Sequence, residues 1–159
     1  MKMRKGFTLV ELLIVIVIIG ILAAAMLLSS GSATAAAKAS NIISDLRSMK
    51  TAALMVYADS QDAFDRGSAT FSATDAAVKN MLGKYVDNPE KYAANFICAN
   101  NSTTHKWFVG YTIPTTEADA SQIADKLAGK AKSVGLFKTT DIGDNNVFTS
   151  GRTVYMVAR

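Results

Sequence analysis

An uninterrupted run of uncharged residues, from Leu12 to Ala37, constrains this chain more than any other feature. As a helix, its 26 residues would extend for about 39 Å, which exceeds the bilayer hydrocarbon thickness of about 30 Å. Lys2, Arg4 and Lys5 lie just before the apolar stretch, and positive flanks remain on the cytoplasmic side. The sequence therefore predicts one membrane-spanning helix, with the rest of the chain outside.

Glu11 lies directly before this run and is the one acidic residue of the apolar segment from Phe7 to Leu28. An ionised carboxylate near the bilayer centre costs roughly 2.5 to 3.5 kcal/mol, so Glu11 requires a partner or a shallow position. An ordinary signal anchor would satisfy it near the cytoplasmic interface. A cleavable secretory signal is a second alternative, with a small-residue site at Ala23 to Ala25, but the apolar run is too long for one.

The residues around Glu11 carry a resemblance to a known family. The segment reads Gly6-Phe7-Thr8-Leu9-Val10-Glu11, after a short Lys/Arg leader and before an unbroken aliphatic run. It resembles the class III signal of type IV pilins and type II secretion pseudopilins. The resemblance implies cleavage after Gly6 by a prepilin peptidase, N-methylation of the new terminus Phe7, and an assembly role for Glu11.

The chemistry of this arrangement can be argued from the residues. Cleavage would leave a terminal ammonium on Phe7, four residues before Glu11. In a growing bundle, the carboxylate of one subunit can pair with the terminal amine of its neighbour. Because removing one partner of a buried ion pair costs several kcal/mol, we predict that this pair fixes the axial stagger between subunits.

Four segments are predicted along the chain: a leader over 1–6, a membrane or filament-core helix over 7–28, its amphipathic continuation over 29–64, and a globular head over 65–159. In the continuation, apolar residues recur at spacings of three and four. Bending or local melting is expected at Gly20 and at the cluster from Ser29 to Ser32. The stripe expected to be buried comprises Ala39, Ile42, Ile43, Leu46, Met49, Ala53, Val56 and Tyr57.

The head shows the mixed pattern of an α+β domain. Two antiparallel strands are expected over 94–99 and 106–113, and a final strand over 153–157. Trp107 and Tyr111 share one face of their strand, which is expected to pack on a helix. The predicted fold class is therefore α+β, with a long N-terminal helix packed against a small antiparallel sheet, and the resemblance implies the same lollipop shape.

Two further helices are expected in the head. A short one would begin at Ser72 or Thr74 and end at Gly83. A longer one would begin at Thr115 or Thr116, with acidic residues early and lysines late, as the helix dipole favours. Its buried face would comprise Ile123, Leu127 and Ala131.

The sequence offers little material for an enzyme site. His105 is the single histidine, so neither a metal cluster nor a Ser/His/Asp arrangement is indicated. Cys98 is the single cysteine and is expected to be a small buried strand residue. It cannot form the disulfide that closes the C-terminal loop of many Gram-negative type IV pilins. We therefore predict that the chain is not an enzyme and needs no cofactor of its own.

A turn rich in Asp and Asn offers oxygen ligands for calcium. Major pseudopilins as a group bind calcium in their C-terminal loop, so the resemblance makes Asp141, Asp144 and Asn146 candidate ligands. The spacing of an EF-hand is absent, and a turn of this composition is mostly just a turn. The main prediction is therefore no metal, with calcium as the alternative.

The net charge of +4 does not indicate nucleic acid binding. The leader supplies three basic residues, and its removal leaves 14 basic and 13 acidic residues. A local basic patch would suit a DNA-binding minor pilin, but the favoured interpretation is the solvated, dipole-matched end of a helix. The patch comprises Lys126, Lys130, Lys132 and Lys138.

The predicted function is a structural subunit of a type IV pilus-like filament. The precursor would cross the inner membrane once, with its C-terminus outside, and would then join an extracellular or periplasmic filament. The expected partners are other copies of the chain, a prepilin peptidase and a membrane assembly platform. A type II secretion pseudopilin and a DNA-uptake minor pilin are the alternatives within the family. A membrane-anchored binding module that never polymerises is the alternative from another class.

Overall fold

The computed structural model describes residues 6–59, 71–72, 83–92, 95–101, 106–140 and 144–158. The chain divides into two compact units, Met1–Thr34 and Ala35–Arg159. Helix α1 (Leu9–Asp59) contributes residues to both units. The segment boundaries predicted at residues 28 and 64 stay predictions, and the helix end expected near Phe64 lies outside the described residues.

Helix α1 continues without interruption through the cluster from Ser29 to Ser32, so the local melting expected there is not seen. Serine and glycine each lower helix stability by about 1 kcal/mol or less relative to alanine. Once a helix is nucleated, each further residue adds a hydrogen bond, so long flanking runs of helix formers carry it through a weak cluster.

In the first unit, α1 exposes its apolar side chains on every side. Each large apolar side chain from Phe7 to Leu27 is at least 48% exposed. Among the described residues, α1 is the helix that is long and apolar enough to cross a membrane, and its most apolar stretch is not buried. A helix that is apolar all round requires lipid or other helices around it.

In the second unit, α1 buries one stripe of side chains. Tyr57 is half-buried and packs against the core, while Ala35 and Ala52 extend the stripe beyond the predicted residues. The prediction of an amphipathic helix is confirmed. The predicted residues that are at most 6% exposed are Ala39, Ile42, Ile43, Leu46, Met49, Ala53 and Val56.

Within the described residues, the sheet of the second unit has five strands in the order β1-β2-β3-β5-β4, and all neighbouring strands are antiparallel. The hairpin and the final strand match the prediction to within about two residues at each end. Strand β4 follows a helix directly and was not predicted, because it is two residues long. The strands are β1 (Phe71–Ser72), β2 (Phe96–Asn101), β3 (Lys106–Thr112), β4 (Leu136–Phe137) and β5 (Thr153–Val157).

One face of this sheet closes the hydrophobic core. Cys98, Val109, Met156 and Leu136 lie opposite one another across four strands, and all four are buried with the α1 stripe. Opposed residues of antiparallel strands share a face, so this row faces the helix. Trp107 belongs to the same buried cluster, which confirms the face predicted from the sequence.

In the part of the second unit that the structure describes, there are also helices α2 (Pro89–Tyr92) and α3 (Ala120–Val134) and a 3-10 turn at Asp144–Asn146. The start predicted for α3, at Thr115 or Thr116, was wrong. The Glu117 N–H donates to the Pro114 carbonyl at 3.3 Å, so the chain turns here before it becomes helical.

The rest of the α3 prediction holds. Ile123, Leu127 and Ala131 are buried as expected. Gly135 ends the helix in the left-handed region, at φ 75°, and its N–H donates to the Ala131 carbonyl at 2.9 Å.

The short helix expected after Ser72 is tested only at its first residue. Ser72 lies in β1 and pairs with Ile97, so it does not cap a helix. Thr74 and most of that expected helix lie outside the described residues.

Candidate processing and assembly site

The peptide bond between Gly6 and Phe7 lies outside the helix. Both residues are exposed, Phe7 to 83%, and α1 begins only at Leu9. The first hydrogen bond of the helix, from the Leu12 N–H to the Thr8 carbonyl, has a length of 3.3 Å and lies on the C-terminal side of this bond. The bond is therefore exposed without any disruption of the helix.

Thr8 and Glu11 cap the start of α1. The Thr8 backbone N–H donates to Glu11 Oε2 at 2.9 Å, and the Thr8 hydroxyl donates to the same oxygen at 2.7 Å. In return, the Glu11 backbone N–H donates to Thr8 Oγ1 at 3.3 Å. This reciprocal arrangement is a capping box, which satisfies backbone N–H groups that a helix start leaves unpaired.

The capping box gives Glu11 a partner within its own subunit. Both contacts of its carboxylate involve Oε2. A carboxylate has two oxygens and about four lone-pair sites, so these two bonds do not exhaust its capacity to accept. Glu11 can therefore cap its own helix and accept from a second cationic group at the same time.

Sequence reasoning missed the part that Thr8 plays. The signal was present, because a Thr followed three residues later by a Glu at the start of an apolar run is the sequence pattern of a capping box. The family resemblance directed attention to Glu11 as an intermolecular partner, and its local hydrogen bonds went unconsidered. Thr8 is thus an additional candidate functional residue.

Comparison with known families decides what this N-terminal segment is. Residues 1–27 match the family model of the prokaryotic N-terminal methylation motif. The chain carries the type IV pilin and pseudopilin signal. No curated protein and no solved structure matches the chain. The motif, together with the exposed apolar helix, marks a pilin-like or pseudopilin precursor of the membrane-anchored kind.

The candidate calcium ligands lie in a turn, and the structure describes only the second part of it, Asp144–Asn146. Asp141 lies outside the described residues, and of Asp144 only the backbone, in a 3-10 turn, is described. The backbone carbonyl of Asn146 accepts from the Lys138 N–H at 2.9 Å. Among the described residues, no group of three or more His, Cys, Asp or Glu side chains could hold a metal. The prediction of no cofactor, and calcium as its alternative, both stay predictions.

Cys98 lies in β2 with 2% of its surface exposed, which confirms the expected buried strand residue. Burial raises the pKa of its thiol to about 12, because the charged thiolate is disfavoured away from water. The thiolate is the reactive form, so Cys98 is inert near neutral pH. His105 lies outside the described residues. That the chain is not an enzyme stays a prediction.

Proposed function

We propose that this pilin-like precursor is a structural subunit of a type IV pilus-like filament. After insertion, hydrolysis of the Gly6–Phe7 bond frees the leader and leaves an ammonium on Phe7, which is then N-methylated. Subunits leave the membrane by packing their apolar helices against those of neighbouring copies. The role is mechanical and needs no bound cofactor.

The observation that carries this proposal is the exposure of the N-terminal half of α1. Every large apolar side chain from Phe7 to Leu27 is in contact with solvent over about half of its surface or more. At roughly 25 cal/mol for each Å² of apolar surface, a stretch of this length cannot remain in water. Lipid covers it in the precursor, and neighbouring helices can cover it in a polymer.

Glu11 supports a polymer rather than a simple anchor. In a pure anchor the acid at this position would serve only as a helix cap, whereas a subunit that meets the Phe7 ammonium of a neighbour also gains a directional contact. The capping box holds the Glu11 carboxylate in a fixed place, since Thr8 binds it through two hydrogen bonds. A charge that is fixed in position defines a register better than a mobile one.

Glu11→Ala tests the proposal in cells that carry the full assembly machinery. We expect a product that begins at Phe7, with its amine methylated, that stays in the membrane and forms no filaments. N-terminal mass spectrometry of the membrane fraction and electron microscopy of the sheared fraction measure the two outcomes. Normal filaments from this variant would show that Glu11 is not required for assembly, whereas a wild-type chain that forms no filaments would favour the membrane anchor.

Two companion variants separate charge from capping. Glu11→Gln keeps an oxygen that can accept from Thr8 but removes the negative charge, so we expect it to fail like Glu11→Ala. Asp87→Ala removes an exposed acid of the second unit and serves as the control with normal filaments. A Glu11→Gln variant that assembles normally would show that Glu11 acts as a helix cap alone.

The methylation motif is shared by pili and by secretion systems, so the machine that uses the filament is a separate question. A pseudopilin of type II secretion and a minor pilin for DNA uptake both fit the same N-terminal chemistry. Deletion of the gene distinguishes them through its phenotype. We expect loss of surface filaments with normal protein secretion.

A further inference from the structure

A cleft in the second unit lies between α1, the end of β3 and the start of α3, and we call it the α1–α3 cleft. Its volume is about 190 Å³, and its inner wall consists of the buried side chains of Ile42, Ile113 and Ile123. Small-molecule sites typically measure roughly 300 to 1,000 Å³. The cleft therefore suits the end of one side chain better than a whole cofactor.

The charged groups at the rim of this cleft are compensated within the chain. Lys38 Nζ lies 2.6 Å from Glu117 Oε2 and 3.8 Å from Asp119 Oδ2. Asp45, which lines the cleft from α1, is likewise engaged by another group of the chain. A charged ligand would have to displace these partners, whereas an apolar side chain leaves them in place. The cleft therefore offers an incoming group mainly its wall of isoleucines.

Tyr111 extends this wall with an aromatic ring. The residue is half-buried and lines the cleft from β3. Burial is the main cause that raises the pKa of its hydroxyl, because the ionised phenolate is disfavoured away from water. The ring also packs against Phe96, with the two ring centroids 4.9 Å apart. Three aliphatic side chains and one ring make a surface that favours an aliphatic occupant.

The second unit also carries two apolar side chains that its own core leaves uncovered. Leu54 is 40% exposed and Met55 is 47% exposed, and both lie on α1. Among the described residues of this unit, they are the large apolar side chains with this degree of exposure. Such a side chain gains free energy when it is removed from water. Each copy of the chain therefore brings candidate occupants for the cleft of another copy.

The position of Leu54 around α1 distinguishes it from Met55. Successive residues of an α-helix are separated by about 100° of rotation and 1.5 Å of rise. The flank of α1 that lines the cleft carries Lys38, Asn41 and Asp45. Leu54 lies about 140° to 180° around the helix from these three residues, whereas Met55 lies about 40° to 100° from them. Leu54 is therefore on the flank opposite to the cleft.

Opposite flanks meet when copies stand side by side with parallel helices, as the proposed filament requires. All copies enter the membrane in the same orientation, because the positive leader stays on the cytoplasmic side. The exposed first half of α1 needs other helices around it once lipid is left behind. That surface supplies the large area that a stable interface needs, roughly 1,000 Å² or more, so one seated side chain only has to set the register.

We propose that Leu54 of one copy of this chain inserts into the α1–α3 cleft of a second copy. The inference rests on the proposed filament function and assigns a register to it. Leu54 follows Ile42 by 12 residues, so parallel copies in this contact are offset by about 18 Å along the helix axis. Because the side chain and the cleft lie at different places on one copy, the contact is heterologous, and its repetition without closure produces a helical polymer.

Disulfide trapping in assembled filaments is the test, with the full-length chain in cells that carry the assembly machinery. The variant Asn41→Cys/Leu54→Cys places one thiol at the rim of the cleft and one on the inserting residue. Within one copy these positions are about 20 Å apart along α1, whereas a disulfide spans roughly 4.4 to 6.8 Å between Cα atoms. After mild oxidation we expect a ladder of dimers, trimers and higher multimers on a non-reducing gel.

Two controls keep the ladder specific. Asn41→Cys/Met55→Cys moves the second thiol to the neighbouring, similarly exposed side chain, and we expect about tenfold less cross-linked product. Filaments assembled from a mixture of the single variants Asn41→Cys and Leu54→Cys should stop at dimers, since each copy carries one half of the contact. The native Cys98 does not interfere, because it is buried.

Leu54→Glu measures how much assembly depends on the contact. It places a carboxylate against the isoleucine wall, where the charge loses water without gaining a partner, so we expect filament yield to fall about tenfold. Met55→Glu is the matched control, with the same change at the next residue of the helix, and should assemble to within about twofold of wild type. Urea unfolding of both variants in detergent should match wild type, since both side chains are exposed.

Several results would overturn this contact. They are an Asn41→Cys/Leu54→Cys chain that assembles but stays monomeric after oxidation, a ladder of equal strength from the Met55→Cys pair, or a normal filament yield from Leu54→Glu. Products that stop at dimers in the Leu54→Cys pair would indicate an isologous contact instead. A wild-type chain that forms no filaments would refute the proposed function itself, whereas filaments without the ladder would refute this contact alone.

Discussion

The two halves of α1 are equally helical and differ in where their apolar side chains lie. Ile16, in the first half, is 59% exposed, whereas Leu46, in the second half, is completely buried. The first half has no polar face, while the second alternates its apolar stripe with exposed residues such as Ser44 and Arg47. The distribution of apolar residues around the helix axis, more than their number, determines whether the chain can cover them itself.

This difference separates two sources of stability within one helix. The second half is held by its own sheet and by α3 in a shared core. The apolar side chains of the first half are exposed and require lipid or other helices around them. Mutations in the second half should therefore change the free energy of unfolding, whereas mutations in the first half should not. The following four predictions test whether stability resides in the buried core in this way.

The largest effect is expected from Leu46→Ala. Truncation of a fully buried leucine typically costs about 2 to 5 kcal/mol of the free energy of unfolding, because contacts are lost and a cavity remains. Ile16→Ala, in the exposed half, should leave this free energy unchanged. Urea unfolding of the full-length chain in detergent, followed by the fluorescence of buried Trp107, measures both. Equal losses in the two variants would show that the halves do not differ as described.

Glycines provide the second test. A Cβ added at Gly110 would lie 2.8 Å from Tyr155 Cδ1 and 3.2 Å from the Val154 carbonyl oxygen. Gly110→Ala should therefore lower the free energy of unfolding by about 1 to 3 kcal/mol. A Cβ at Gly20, in the first half of α1, meets no atom within 4 Å, so Gly20→Ala should not destabilise. The same urea titration applies, and a stable Gly110→Ala variant would show that the Tyr155 ring moves aside freely.

Thr8→Val should have a smaller and local effect. It removes the hydroxyl that donates to Glu11 and accepts from the Glu11 N–H, and loss of a cap costs about 1 kcal/mol. Amide hydrogen exchange at residues 9–12 should become about fivefold faster, while exchange in the second unit stays unchanged. Thr8→Ser keeps the hydroxyl and is the matched control. Equal exchange in all three proteins would argue against the capping box.

Gly129→Ala should produce the smallest effect, and a favourable one. Gly129 lies on the exposed side of α3, and an added Cβ meets no atom within 4 Å. Alanine in a helix interior is better than glycine by about 0.5 to 1 kcal/mol. Thermal unfolding should therefore shift upward by a few degrees. Gly135→Ala is the opposite control, since Gly135 has a φ of 75° that alanine adopts poorly.

Much of this fold could be predicted because its signals are local and repeated. The stripe from Ala39 to Val56 follows the helical period over five turns, and the strand from Thr153 to Val157 alternates clearly. Strand β4 could not be predicted, since two residues carry no periodicity. The start of α3 was misplaced because its early acids suggested a helix dipole, while Glu117 in fact binds Lys38 on α1.

The candidate site was predictable in its residue types and not in its hydrogen bonds. Gly6, Phe7 and Glu11 were indicated by their order in the sequence, and the match over residues 1–27 supports the motif. Their roles stay predictions. The contact between Lys38 and Glu117 could not be predicted, because the two residues are distant in sequence and meet only through the tertiary fold.

The position of the Thr8–Glu11 capping box has a consequence for proteolysis. All hydrogen bonds of the box and of the first helical turn lie after Phe7, so removal of the leader breaks none of them. In the cleavage proposed above, the shortened chain would keep the same helix start, since α1 begins only at Leu9. The proposed maturation would therefore change the charge at the end of the chain and leave the start of α1 as it is.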